Sequence, residues 1–184
     1  MKKMSKMERI FACVVIVVLA IGILLICFQN KQEEEEYAKR RTELIEAYQK
    51  GTGDERLTAA LSLSFGSSYE VLKAEYTDNE ATVVLHAVEE STDEVAIRDY
   101  ARDTVTLMSW VFGIPDVDKL SVTFRHTFLD TGGNEIQADA FIIGISRENT
   151  TDINYENFLD MVWNDPSRLT DRADGYLITP ALRE

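Results

Sequence analysis

Apolar residues run without interruption from Ile10 to Phe28, and further along they recur only in short, patterned groups. A helix rising about 1.5 Å per residue makes that run roughly 28 Å long. A bilayer core is about 30 Å thick, so the run predicts a retained transmembrane helix over residues 10–28. Lys2, Lys3, Lys6 and Arg9 precede it, with Glu8 the one acid, while Lys31 and Glu33 to Glu36 follow. Basic flanks stay in the cytoplasm. Residues 1–9 are therefore expected inside the cell and the chain beyond the run outside it, on a single-pass protein of the plasma membrane. A cleaved export signal and a lipid on Cys27 are the alternatives. The run exceeds the roughly 7–15 apolar residues of a signal peptide, no small-x-small pattern precedes Gln29, and bulky Ile26 stands before Cys27.

Past the span, periodicity separates helices from strands. Residues 29–52 read as a juxtamembrane stalk helix with a narrow stripe of Tyr37, Leu44, Ile45 and Tyr48, ended by a glycine hinge at Gly51 and Gly53. A short helix capped by Asp54 follows. Residues 69–76 and 81–88 are strand-like runs joined by the turn-forming Thr77-Asp78-Asn79-Glu80. Over residues 92–112, Ile97, Ala101, Val105, Met108 and Phe112 recur at helical spacing, with Ser91 and Glu94 as a capping box and Gly113 and Pro115 as the stop. A second hairpin is predicted over 119–129 and 135–146 around Gly132, Gly133 and Asn134, and a last helix over 154–164 capped by Asp152 or Asn154. Tyr176 to Ile178 fit a short strand or an extended surface segment.

This order predicts an α+β extracytoplasmic domain over residues 53–184. The expected architecture is a two-layer sandwich of a mainly antiparallel four-stranded sheet in ββαββα order, with both helices on one face. Phe124, Ile142, Met108 and Phe158 are its expected core. The apolar stretch from Ala140 to Ile145 suggests a central strand covered on both faces.

Charge narrows the partners. The chain has 19 basic and 32 acidic residues; the first 31 positions hold five and one of these, which leaves a net of −17 outside. Such a surface repels nucleic acid and anionic lipid headgroups. The expected partners are the membrane, through residues 10–28, and an envelope protein. Both cysteines, Cys13 and Cys27, lie in the span, so the exterior part has no disulfide, thiol nucleophile or thiolate metal site.

Candidate chemistry is sparse. His86 and His126 are the only histidines and are the candidate metal ligands. Both are read as pointing to the apolar side of neighbouring strands. The acid pairs Asp116/Asp118 and Asp171/Asp174 lack the ligand ladder and closing glutamate of a calcium loop. Asn149-Thr150-Thr151 is a glycosylation acceptor motif on an expected loop. The sequence holds no nucleophile elbow, phosphate-cradling glycine loop or His-Glu-x-x-His, so it calls for no cofactor and names no catalytic residue. Three function classes fit: a non-catalytic binding or sensing ectodomain, which is favoured; an accessory or structural subunit of a membrane complex; and an envelope enzyme with a carboxylate-based site.

Overall fold

The structure, a computed structural model, describes residues 31–88 and 92–182. The expected cytoplasmic N-terminus, the span over 10–28 and Cys27 lie outside the described residues. Among the described residues no helix is long and apolar enough to cross a membrane. The chain falls into two units, Met1–Glu43 and Leu44–Glu184. In the first, residues 31–43 are helical, and their side chains are exposed.

In the second unit the helix α1, residues 31–50, reaches its last turns and leads into α2, Gly53–Phe65. Thr52 starts α2, its N–H donating to the Glu55 carboxylate at 2.7 Å. Asp54, the expected cap, instead accepts the backbone N–H of Tyr76 at 3.3 Å. Gly53 packs directly on Tyr76: a Cβ there would lie 2.2 Å from the ring. That glycine permits close approach, where a hinge was expected.

The sheet has five strands: β1 (Tyr69–Thr77), β2 (Glu80–Ala87), β3 (Lys119–Leu129), β4 (Glu135–Ser146) and β5 (Gly175–Ile178), side by side in that order. Asp78 and Asn79, with φ of 52° and 64°, close the β1–β2 hairpin as a two-residue turn of the kind strand twist favours. The β2–β3 pair is parallel and the other three pairs are antiparallel. The sheet is therefore mainly antiparallel, as expected, but it has five strands, which corrects the expectation of four, and it is mixed. The cause is α3, Asp93–Val111: a strand–helix–strand connection carries the chain back to the starting end, so β3 runs alongside β2 in the same direction. Ser91 lies outside the described residues, and Thr92 is the N-cap position of α3.

After β4 come a 3₁₀ turn (Arg147–Thr150), α4 (Tyr155–Asn164) and α5 (Ser167–Thr170). Asn154 caps α4, its side chain accepting the Asn157 N–H at 3.1 Å. One core joins the layers. Leu57, Ala60 and Leu61 of α2, Ala101, Val105 and Met108 of α3, and Phe158 and Val162 of α4 pack with Val83, Leu85, Val122, Phe124, Phe141 and Ile143 of the sheet. The opposite sheet face carries no described helix. Its central row is Val84, Thr123, Ile142 and Leu177, paired in register across β2 to β5. Ile142 is thus outside the core, contrary to expectation. The β3–β4 register shifts after Phe124, where Ala140 is the extra residue of β4, and the strand's inward phase belongs to Phe141, Ile143 and Ile145.

Candidate functional site

A cleft of about 270 Å³ opens where the end of α2, the start of β1 and the first half of α3 meet. Local chemistry builds it. Gly66, at φ 57°, turns the chain out of α2, with its N–H bonded to Ser62 O at 3.0 Å. The Ser68 N–H then bonds to Phe65 O at 3.0 Å, and Val88 N–H to Ser68 O at 3.0 Å. This turn sets Tyr69 against α3. Helical spacing puts Asp99 and Asp103 one turn apart on the α3 flank that faces it, with Arg102 between them.

The polar groups of the cleft are interlocked. Tyr69 Oη donates to Asp103 Oδ2 at 2.7 Å, and Arg102 Nε donates to Asp103 Oδ1 at 3.0 Å. Arg102 Nη2 also lies 3.6 Å from Asp99 Oδ1. The carboxylate side chains of Asp99 and Asp103 are only 18% and 14% exposed. Burial first, and then the charge of Asp103, push the Tyr69 phenol far above its ordinary range. Burial works against the charge on Arg102, yet Asp103 and Asp99 outweigh it and hold the guanidinium above its ordinary value. The same guanidinium lies 5.3 Å from the ring centroid of Trp163 on α4, within cation–π reach. Phe65 meets Tyr69 edge to face at 4.9 Å, and Tyr100 lines the base. The cleft therefore offers two mostly buried carboxylates, one guanidinium and an aromatic floor. A ligand there meets fixed hydrogen-bonding groups.

The two histidines do not share this or any other site. His126 faces the core, 2% exposed, with Nδ1 2.8 Å from Tyr100 Oη beneath the cleft. Tyr100 in turn stacks on Phe124 at 4.6 Å. His86 projects from the opposite face of the sheet. Its Nδ1 lies 3.3 Å from Arg125 O and its Nε2 lies 3.1 Å from Gln137 Nε2. A neutral ring carrying its proton on Nδ1 satisfies both contacts. The expectation that both imidazoles point to the apolar side fails because β2 turns Ala81, Val83, Leu85 and Ala87 inward, which leaves Val84 and His86 on the other phase.

Asn149 sits in the 3₁₀ turn, and its Nδ2 donates to Asp174 Oδ1 at 2.8 Å. Asp174 also accepts Ser146 Oγ at 2.6 Å, and Asp118 accepts Asn79 Nδ2 at 3.2 Å. These loop acids tie neighbouring segments together. Among the described residues no group of three or more histidine, cysteine or acidic side chains is placed to hold a metal ion.

Sequence reasoning did not single out Tyr69, Asp99, Arg102 or Asp103. A spacing of Asp, Arg and Asp at i, i+3 and i+4 was the available signal, and it reads equally as a solvated helix flank. No protein-family description, curated protein or solved structure matches the chain.

Proposed function

We propose that the protein is a single-pass, membrane-anchored binding module whose domain lies outside the cytoplasm and takes its ligand or partner at the α2–β1–α3 cleft. The anchor rests on the uncharged run from Ile10 to Phe28 and its basic N-terminal flank. The observation that carries the binding role is the cleft itself: a concavity where convergent, pre-positioned polar groups meet aromatic rings supports recognition of a small polar group. A carboxylate-based enzyme needs a carboxylate able to exchange a proton with substrate. Asp103 has both oxygens engaged, by Arg102 and by Tyr69, which favours recognition over catalysis.

A second reading, an accessory subunit of a membrane complex, is supported by Met161 and Trp163, which stand exposed on α4.

Two measurements test the proposal. With Cys13 and Cys27 replaced by serine, a Ser67→Cys variant in intact cells should react with an impermeant thiol reagent. Reaction only after permeabilisation overturns the topology. A photocrosslinker at Ser68 in the native membrane should then capture a species that a crosslinker at exposed Glu148 does not, and Asp103→Asn should abolish the capture. Equal capture from both positions rejects the cleft. Capture from Met161 alone promotes the accessory-subunit reading.

A further inference from the structure

The last turns of α1 behave unlike the rest of that helix. Residues 31–43 are exposed, whereas Leu44, Ile45, Ala47 and Tyr48 are half-buried, at the spacing of one helix face. Tyr48 accounts for the change. Its Oη donates to Trp110 O at the end of α3 at 2.6 Å, and its ring meets Trp110 edge to face at 5.3 Å. Burial pushes the phenol above its ordinary value. Gly113 completes the enclosure. A Cβ there would lie 2.1 Å from Tyr48 Oη but 3.4 Å from Cζ. Gly113 has no positive φ, so the demand for glycine comes from space: chiefly the phenol oxygen, and to a lesser degree Trp110 O, which a Cβ would approach to 3.1 Å.

We propose that Trp110 and Gly113 form a socket for Tyr48 that makes residues 44–50 a fixed element of the folded domain. Most helical stability in a protein comes from packing of one face, and docking supplies it to the last turns of α1. For an anchored module, the socket ties the last turns of α1 to the body that carries the cleft. The same helix, α3, lines the cleft with its first half and holds the socket with its last turn. The inference goes beyond the binding reading and stands whether or not the cleft has a ligand.

Hydrogen exchange on the purified full chain tests it, through Tyr48→Phe, Gly113→Ala and the double variant. In the unaltered protein the amides of residues 44–50 should exchange more slowly than those of residues 31–43. Gly113→Ala should speed exchange over 44–50 by roughly tenfold, the factor equivalent to one lost hydrogen bond. The double variant should recover most of the Gly113→Ala penalty relative to Tyr48→Phe, because phenylalanine has no Oη and the new Cβ is then left with only the tight 3.1 Å approach to Trp110 O. Fully additive penalties, or residues 44–50 exchanging as fast as 31–43 in the unaltered protein, overturn the socket. If Gly113→Ala does not fold, Tyr48→Ala in a Trp163→Phe background decides. The Trp110 emission should shift to the red as its neighbour is lost, and an unchanged spectrum overturns the proposal.

Discussion

Arg147 is a partly exposed side chain whose loss should be costly. Its Nε donates to Val117 O at 2.7 Å, its Nη2 to Ile114 O at 2.6 Å and its Nη1 to Phe112 O. The guanidinium also lies 5.5 Å from the Phe112 ring centroid. α3 has no basic residue in its own last turn. Arg147, the first residue of the 3₁₀ turn after β4, therefore supplies the cation that the carbonyl-rich end of α3 favours. Phe112, Ile114 and Val117 are all buried, so water replaces the guanidinium poorly. Hydrogen bonds from a charged donor contribute about 1.5–3 kcal/mol each. Three at the low end give about 4.5 kcal/mol, and the rotamer freedom regained on truncation offsets about 2 kcal/mol. Arg147→Ala should thus cost about 2–3 kcal/mol, and with about 4 °C per kcal/mol for a domain of this size the melting temperature should fall by roughly 8–12 °C. Arg147→Lys should recover at most one of the three bonds, since an ammonium lacks the planar fork. Thermal unfolding followed by circular dichroism reads both variants. A melting temperature within about 1 °C of the parent for Arg147→Ala, or full recovery by lysine, would refute the account.

Two further outcomes follow from the packing. Met108 has no exposed surface, so Met108→Asp should place an uncompensated charge between α3 and the sheet and cost several kcal/mol, on the order of the burial penalty; an unchanged melting temperature would show that this helix face is misplaced. The Tyr69 phenol is held above its ordinary value of about 10, first by burial and then by Asp103. The folded state prefers the neutral form, so this stabilisation is complete below about pH 10 and is lost as the pH rises beyond it. Tyr69→Phe should flatten the alkaline limb of melting temperature against pH, and an unchanged limb would sink the assignment.

The element boundaries were largely legible because periodicity is local. The expected strands over 69–76 and 135–146 and the helix over 92–112 match β1, β4 and α3 to within a residue at either end. Strand direction and number were not legible. Alternation shows which residues share a face, yet it does not show which edge receives a returning chain, and β5 pairs only four residues with β4. Phase failed where both phases are apolar. In β2, Val84 continues the hydrophobic run on the open face, and His86 was carried inward with it. In β4, the run from Ala140 to Ile145 reads as covered on both sides, whereas its alternate residues Ile142 and Gly144 lie on the face without helices.

The cleft escaped detection for a related reason. Each of its residues has a sufficient local explanation. Asp99, Arg102 and Asp103 look like the charged flank of an amphipathic helix, Tyr69 like the first residue of a strand, and Gly66 like a helix stop. What makes them one site is the non-local placement of β1 beside α3, set by the turn through Gly66 and by the Val88–Ser68 bond at the end of the β1–β2 hairpin. That placement also separates the site from an ordinary surface ion pair. Exposed pairs contribute little because water competes for both partners. Here a half-buried phenol occupies one oxygen of Asp103 and an aromatic ring lies against the face of Arg102, so both charges are held in fixed positions. A charged flank becomes a recognition surface when the groups beside it are rigid and water is partly excluded, and the contact between β1 and α3 provides both conditions.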